Sequence, residues 1–262
     1  MEDTLSTPRG RPLILGHRGA SRDAPENTLA AFRLALEQGA DGVELDVWRC
    51  ASGEVVVIHD ADTARTAPRG PRRLIRRSTW PELRTMDVGA WAGVHFAGER
   101  IPLLAEVLEA LPSAVVNVEL KSAGSPDVRL PLAAARVIAA ARASERCVVS
   151  SFDPVLLAAF RAAAPRVRTG ALFGADQAWR VREAIGTRLV RAAAVHPERT
   201  LVDEPRVRGW RARGLAVHVW TVDAPAEVAR LAALGVDALI TNRPAVARAA
   251  LDGGRSGTPP AG

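Results

Sequence analysis

Several residue types are scarce or missing in this 262-residue chain, and each gap argues against a class of protein. Two cysteines, Cys50 and Cys147, are too few for a disulfide framework or a cysteine metal site, which fits a reducing compartment. The apolar stretches near residues 131–143 and 224–234 are short and broken by arginine, so no transmembrane helix is predicted. The start lacks the charged-then-apolar pattern of a signal peptide. We therefore predict a cytoplasmic location.

Tyrosine is missing, and Lys121 is the single lysine among 35 lysines and arginines. The net charge of +6 could suit a nucleic-acid partner, but the arginines are spread over nearly every predicted helix. We interpret the charge as compositional bias and expect no specific nucleic-acid partner. The one concentrated basic run, residues 69–77, is interpreted as a solvated loop. We interpret a lysine kept in so arginine-rich a chain as a need for a compact ammonium group, with chance retention as the alternative.

No linker rich in serine, glycine or proline interrupts the middle of the chain, so one domain over residues 12–252 is predicted. Residues 1–11 carry no apolar run and residues 253–262 are rich in glycine and proline, so both are predicted to be flexible tails. Residues 61–100 are rich in arginine, proline and glycine and lack a long periodic element. We interpret them as an insertion, and a loop that long is more often functional than idle.

Short apolar strands alternate with amphipathic helices along the chain. Strands are predicted at 12–17, 41–48, 54–58, 115–121, 147–151, 168–173, 190–195, 215–222 and 238–241. Helices are predicted at 25–39, 101–111, 127–143, 154–163, 177–187, 203–213, 225–234 and from 244 onward. An alternation of this kind, repeated about eight times, predicts an α/β fold of the (β/α)8 TIM barrel type with a small insertion after the second strand region. A doubly wound open sheet is the alternative.

The strand at 41–48 alternates acidic with branched apolar side chains, so Glu44 and Asp46 share one face. Residues two apart on a strand are about 6 to 7 Å apart, which lets both carboxylates converge on a divalent cation. A half-exposed edge strand with both carboxylates in solvent is the alternative. The strand at 115–121 shows the same alternation of polar and apolar side chains, because Asn117, Glu119 and Lys121 lie on one of its faces.

In a barrel of this type the chemistry lies at the carboxyl ends of the strands. The side chains found there are those of His17, Arg18, Glu44, Asp46, His59, Glu119, Lys121, Trp220 and Thr221. A lone histidine at a strand end is more often structural, but a second histidine at a matching position and a neighbouring arginine favour catalysis.

Ordered short motifs give the chain a resemblance to a known family. They are Gly16-His-Arg-Gly-Ala20, Pro25-Glu-Asn-Thr28, Gly42-Val-Glu-Leu-Asp-Val47, Val57-Ile-His-Asp60, Ile101-Pro-Leu-Leu104, Val118-Glu-Leu-Lys121, Val219-Trp-Thr-Val222 and Gly235-Val-Asp237 with Ile240-Thr241. With these motifs along nearly its whole length, the sequence resembles the glycerophosphodiester phosphodiesterases. The resemblance implies a barrel with the segment 61–100 inserted, and metal-dependent hydrolysis of glycerophosphodiesters to an alcohol and glycerol 3-phosphate.

The resemblance also implies roles for the strand-end residues. It implies a divalent cation on Glu44, Asp46 and Glu119, acid and base roles for His17 and His59, and phosphate contacts from Arg18 and Lys121. Three oxygen ligands suit Mg²⁺ or Ca²⁺, whereas Zn²⁺ is expected to recruit histidine.

Phosphodiester cleavage needs one proton removed from the attacking hydroxyl and one given to the leaving oxygen. We assign His17 as the base and His59 as the acid. Alternative activities within the same fold are a lysophospholipase D-like reaction or formation of a cyclic phosphate. A catalytically silent phosphodiester-binding barrel is the alternative outside the enzyme class.

Other polar and aromatic residues have less certain roles on sequence grounds. Trp220 is predicted to form a wall of the alcohol pocket, and Phe96 could be a wall or core residue. Asn27 could contact the site or cap its helix. His95, His196 and His218 are interpreted as structural. The resembled family usually has aspartate where Asn242 stands, and we expect that difference to affect local capping more than chemistry.

Overall fold

The computed structural model describes residues 11–176 and 178–253. These residues form nine strands: β1 (Leu13–His17), β2 (Gly42–Arg49), β3 (Val55–Val57), β4 (Val115–Leu120), β5 (Cys147–Ser151), β6 (Arg168–Phe173), β7 (Ala194–Pro197), β8 (Ala216–Val219) and β9 (Ala238–Thr241). All except β3 pair in parallel with their neighbours, and β1 pairs with both β2 and β9. That last pairing closes the sheet, which confirms the barrel and excludes the open sheet.

Helices connect the strands and cover the outside of the barrel. They are α1 (Leu29–Glu37), α2 (Trp80–Leu83), α3 (Leu104–Ala110), α4 (Arg129–Ala140), α5 (Pro154–Ala163), α6 (Trp179–Ala184), α7 (Glu204–Ala212), α8 (Pro225–Ala233) and α9 (Pro244–Gly253). Several begin at side-chain caps; the Thr28 hydroxyl, for example, accepts a hydrogen bond from the Ala31 amide at the start of α1. No helix among the described residues combines the length and the apolar character that crossing a membrane requires.

Alternate residues of each strand pack on opposite sides of the barrel wall. Outward side chains such as Val43, Leu45 and Val118 form the main core with the helices. Inward side chains such as Leu15 and Ile240 fill the barrel interior. The predicted separation of apolar and acidic faces on β2 and β4 is therefore present in the structure.

The predicted strand at 54–58 does not join the barrel. Its central part, β3, pairs antiparallel with the end of β2, with Val57 opposite Val47. The connection from β2 to β3 is a tight turn through Gly53, whose φ is 109°, and it is too short for the crossover that a parallel strand needs. This hairpin carries His59 over the mouth of the barrel, because the Ile58 amide donates to the Asp46 carbonyl at 2.9 Å.

The segment 61–100 is an insertion without a long regular element, as predicted. It contains α2 and two short 3₁₀ turns, and its apolar residues Ile75, Leu83 and Met86 pack with Trp48 of β2. Most arginines of the basic run at 69–77 are exposed. The insertion is therefore a small cap with its own core, packed beside the barrel mouth.

The start of β7 differs from the prediction. The strand expected at 190–195 begins only at Ala194, because α6 continues through a π-helical turn, Ile185–Leu189, and Val190 packs with Leu157 on α5. Residue 177, at the start of the expected helix 177–187, lies outside the described residues, as do nearly all residues of the two predicted tails.

Candidate active site

Three buried carboxylates meet at the carboxyl end of the barrel. Glu44 and Asp46 lie on β2 and Glu119 lies on β4, and the parallel register places Asp46 directly opposite Glu119. The three groups offer one oxygen each within 4.8 Å of one another. The two-residue period and the strand register together produce this convergence.

The charges of these carboxylates are only partly compensated by the protein. Burial, together with the neighbouring carboxylates, raises the pKa of Glu44 well above its usual range. Burial also raises the pKa of Glu119 to about 7, although Lys121 opposes the shift. Burial disfavours the charged form of Asp46 too, yet Lys121 and Arg18 lower the pKa of that carboxyl below its usual value. Three hard oxygen donors whose negative charge is only partly compensated fit a divalent cation such as Mg²⁺ or Ca²⁺.

Two basic side chains line the same pocket. The Lys121 ammonium lies 2.8 Å from a Glu119 oxygen and 3.3 Å from an Asp46 oxygen. Arg18 lies opposite, with its Nε 3.3 Å from the other Asp46 oxygen. Its backbone has a φ of 56°, a conformation that is unusual for a residue with a side chain and that is often found at functional sites. The Arg18 amide donates to the Glu44 carbonyl at 2.8 Å, and this bond holds the unusual turn against β2.

His17 lies at the end of β1, where its two ring nitrogens face different neighbours. Nδ1 is 2.7 Å from the side-chain oxygen of Asn242, and Nε2 is 3.9 Å from a Glu44 oxygen. Burial, together with the charge of Arg18, lowers the pKa of His17 to about 4. The ring is therefore neutral at pH 7 and can accept a proton.

The position of Asn242 bears on the expectation that its difference from the resembled family affects local capping more than chemistry. The barrel register pairs Gly16 of β1 with Thr241 of β9. The next residues of the two strands, His17 and Asn242, are therefore neighbours. Asn242 contacts a candidate catalytic residue directly.

His59 follows the β2–β3 hairpin and faces the same pocket from the other side. Its Nδ1 is 2.7 Å from an Asp60 oxygen, and its carbonyl accepts a hydrogen bond from the Trp48 indole at 3.1 Å. Burial lowers the pKa of His59, against the opposing effects of Asp46 and Asp60. Both candidate acid/base groups thus line one pocket, and each has its Nδ1 beside a side-chain oxygen.

The pocket has a volume of about 70 Å³. Trp220 forms part of its wall and packs edge-on against Phe152 with 5.6 Å between ring centroids. The Trp220 indole donates to the His196 carbonyl at 2.8 Å, which fixes the ring. Phe96 packs against His95 within the insertion, with 5.7 Å between ring centroids.

Two asparagines near the acidic cluster, Asn27 and Asn117, have distinct contacts. Thr28 is the cap of α1, whereas the Asn27 amide donates to Asp46 at 2.9 Å. Asn117 lies on β4, two residues before Glu119, and its side-chain amide donates to the Ser150 hydroxyl at 3.2 Å. Asn27 therefore belongs to the immediate surroundings of the acidic cluster.

Several residues of the site were missed on sequence grounds. Phe152 follows β5 and had no distinguishing motif, and Arg65 is one arginine among many in the insertion. Glu26 and Asp60 stand inside quoted motifs but received no role. Their contacts join residues far apart in the chain, for example Arg65 with Glu26 across 39 positions, and no local pattern encodes such a pair.

Comparisons with known proteins identify the family of this chain. Residues 17–246 match the model of the glycerophosphoryl diester phosphodiesterase family. A glycerophosphodiester phosphodiesterase from Caldanaerobacter subterraneus is 35% identical over 241 residues, which cover 89% of this chain and 95% of that relative.

Solved structures show the same fold. A phosphodiesterase from Oleispira antarctica, in complex with the product sn-glycerol-3-phosphate, has a TM-score of 0.82 and 29% identity, covering 92% of this chain and 97% of its own. A glycerophosphodiester phosphodiesterase from Agrobacterium tumefaciens has a TM-score of 0.78 and 30% identity, covering 91% of this chain and 99% of its own.

Proposed function

The chain belongs to the glycerophosphoryl diester phosphodiesterase family and hydrolyses glycerophosphodiesters, and we propose that it does so with one divalent cation and two histidines, releasing an alcohol and glycerol 3-phosphate. The observation that carries this proposal is the convergence of His17 and His59 on one pocket with three buried carboxylates. We also propose that residues 12–252 act as a single domain.

Glu44, Asp46 and Glu119 would bind the cation, because they supply three oxygen ligands within reach of one another. A bound Mg²⁺ or Ca²⁺ would stabilise negative charge on the phosphate and orient it in the pocket. The raised pKa of Glu44 supports this assignment, since the effects of burial and of the neighbouring carboxylates exceed the compensation from Arg18 and Lys121.

Arg18 and Lys121 bind the phosphate in this proposal. Both side chains are mostly buried at the pocket wall, with exposed fractions of 19% and 13%. Negative charge develops on the non-bridging phosphate oxygens during the reaction. The two charged side chains are already in place, so they stabilise this charge without moving.

His17 acts as the base. Its ring is neutral, and Nδ1 faces the Asn242 oxygen, so Nε2 is the nitrogen that accepts the proton of the attacking hydroxyl. His59 acts as the acid and gives a proton to the leaving alcohol oxygen as the phosphorus–oxygen bond breaks. The Asp60 carboxylate stabilises the charged form of His59. Loss of one proton from His17 to solvent and uptake of one from solvent by His59 return both histidines to their starting states, and the net reaction consumes one water.

We propose glycerophosphodiesters with small head groups over lysophospholipids as substrates. Trp220 and Phe152 form an apolar wall of the pocket, whose volume of about 70 Å³ supports a small alcohol.

The test is release of glycerol 3-phosphate from a panel of glycerophosphodiesters, with and without chelator. Turnover should need the cation and should be lost in His17→Ala. A phosphodiester with a p-nitrophenolate leaving group needs no protonation, so His59→Ala should retain more of its activity on that substrate than on an alkyl diester. Turnover that is indifferent to chelator or to His17 would contradict the proposal.

A further inference from the structure

Arg65 of the insertion forms hydrogen bonds with two carboxylates, those of Asp60 and Glu26. Its Nε donates to an Asp60 oxygen at 2.7 Å. Its Nη1 and Nη2 donate to the two oxygens of Glu26 at 2.6 and 2.8 Å. One guanidinium group therefore contacts three carboxylate oxygens, which uses the planar fork geometry that distinguishes arginine from lysine.

Each of these carboxylates contacts one of the proposed active-site side chains. The remaining oxygen of Asp60 is 2.7 Å from Nδ1 of His59. A Glu26 oxygen accepts a hydrogen bond from Nη1 of Arg18 at 3.0 Å. A continuous series of charge-assisted hydrogen bonds thus runs from the proposed acid, through Arg65, to the proposed phosphate ligand.

The charges of the series depend on Arg65. The Glu26 side chain is 13% exposed, and burial disfavours its charged form, but hydrogen bonds from Arg65 and the charge of Arg18 lower the pKa of that carboxyl below its usual value. Hydrogen bonds from Arg65 and His59 likewise lower the pKa of Asp60 against the effect of burial. Without Arg65, Glu26 would keep only its contact with Arg18, and Asp60 only its contact with His59. Each pair of side chains could then change its orientation independently of the other pair.

We propose that Arg65 is a positioning residue that sets the placement of His59 relative to Arg18. It touches neither the phosphate nor the reacting atoms, and it acts through Asp60 and Glu26. The inference rests on the proposed roles of His59 and Arg18. It also gives the insertion a function, since the segment that carries Arg65 closes the link between two catalytic groups.

Arg72 offers a matched control in the same insertion. It makes two short hydrogen bonds to Asp62, at 2.6 and 2.9 Å, and its side chain is 68% exposed. Arg72→Gln removes the same charge and the same type of ion pair as Arg65→Gln, with none of the contacts to Asp60 or Glu26. The comparison of the two variants therefore separates the effect of losing the contacts of Arg65 from the effect of losing one positive charge.

The experiment measures kcat and KM of wild type, Arg65→Gln, Arg65→Lys and Arg72→Gln on an alkyl glycerophosphodiester and on a p-nitrophenyl phosphodiester. Small misplacements of catalytic groups cost up to about a hundredfold, so Arg65→Gln should lose about ten- to a hundredfold in kcat on the alkyl substrate. The loss should be smaller on the p-nitrophenyl substrate, which needs no acid. Arg65→Lys should recover less than half of the loss, and Arg72→Gln should match wild type.

Chemical rescue provides a readout that a purely structural role would not move. Guanidinium ion at millimolar concentration should restore part of the activity of Arg65→Ala, and ammonium ion at the same concentration should restore none. Thermal unfolding of each variant shows whether it is folded. If Arg65→Gln does not fold, Arg65→Lys is the variant that tests the inference.

Two results would overturn the inference: activity of Arg65→Gln within twofold of Arg72→Gln, or full activity of Arg65→Lys. An equal loss on both substrates would also overturn it, because positioning of the acid would then not be the cause. His59→Ala, measured in parallel, separates the two proposals. If His59→Ala keeps wild-type activity, the proposed function fails; if it loses activity while Arg65→Gln does not, only the role of Arg65 fails.

Discussion

His17 donates a hydrogen bond from Nδ1 to the side-chain oxygen of Asn242, with 2.7 Å between the two atoms. The orientation of the Asn242 amide is fixed, because its Nδ2 donates to Asp223 at 2.7 Å and a carboxylate can only accept. The Ser21 hydroxyl donates to the same Asn242 oxygen at 2.8 Å. The hydrogen of neutral His17 therefore lies on Nδ1, and its Nε2 is left with a lone pair toward the pocket.

The hydrogen bond between Asn242 and Asp223 predicts that the amide and the carboxylate can be swapped between these two positions. Asn242→Asp places two carboxylates in contact, which should lower the free energy of unfolding at pH 7 by about 1 to 3 kcal/mol. The double variant Asp223→Asn with Asn242→Asp restores one amide and one carboxylate and should regain most of that stability. Urea unfolding of the two single variants and the double variant measures the coupling. Additive losses would show that the two side chains do not interact.

Cation binding should stabilise the folded protein. A ligand that binds only the folded state adds about 2.7 kcal/mol when its concentration is a hundred times its dissociation constant. Mg²⁺ or Ca²⁺ should therefore raise the Tm of wild type, and chelator should reverse the rise. Asp46→Asn should abolish the response, whereas Asp62→Asn in the insertion should keep it. An equal rise in Tm for wild type and Asp46→Asn would place the cation elsewhere.

Lys121→Arg tests whether the single lysine is needed as a compact charge. The Lys121 ammonium lies between Glu119 and Asp46 in a pocket of about 70 Å³, where a planar guanidinium cannot occupy the same position. We expect kcat/KM to fall about ten- to a hundredfold while the Tm stays within a few degrees. Lys121→Met, which removes the charge, should be at least as impaired. Wild-type kinetics of Lys121→Arg would mean that any cation suffices there.

His196 should make the protein sensitive to mild acid. It lies in the barrel interior against Gly170, where a side chain would meet the ring, and 4.7 Å from the ring of His218. Burial, with His218 nearby, lowers the pKa of folded His196 well below 6.5, the value expected in the unfolded chain. The unfolded chain thus binds the proton first as the pH falls.

Stability from His196 is therefore complete above about pH 6.5 and declines below it, by up to about 1.4 kcal/mol per pH unit. The pKa of His17 is lowered to about 4 by burial and by Arg18, so His17 also lowers the free energy of unfolding as the pH falls. Urea unfolding between pH 7 and 5 should give a shallower decline for His196→Leu than for wild type. The exposed His95, replaced in the same way, should leave the slope unchanged; parallel curves for all three proteins would exclude His196 as a source.

The alternation of side chains was enough to predict the faces of β2 and β4, because a strand has a fixed period of two residues. It was not enough to predict that β3 turns back on β2, since the direction of a strand depends on the length of its connection and not on its own pattern. The contact of Asn242 with His17 depends on the register between the first and last strands. That register exists only once the barrel is closed.

Arg65 illustrates a second kind of information that the sequence did not reveal. Its surroundings in the chain are rich in arginine, and nothing local separates it from Arg72 or Arg73. Only the folded insertion brings it between Asp60 and Glu26. Motif spacing identified the groups proposed to perform the reaction, whereas the residues that orient them became visible through their three-dimensional contacts.

The closure of the barrel by β1 and β9 also sets when the protein can become active. His17 is among the first residues of the fold to be synthesised, and its partner Asn242 follows 225 positions later. A nascent chain that already contains all three carboxylates and both histidines still lacks the strand whose end contacts His17. In the proposed mechanism catalytic competence therefore arrives last during synthesis, because an incomplete chain that has yet to close its barrel has no oriented His17 to act as the base.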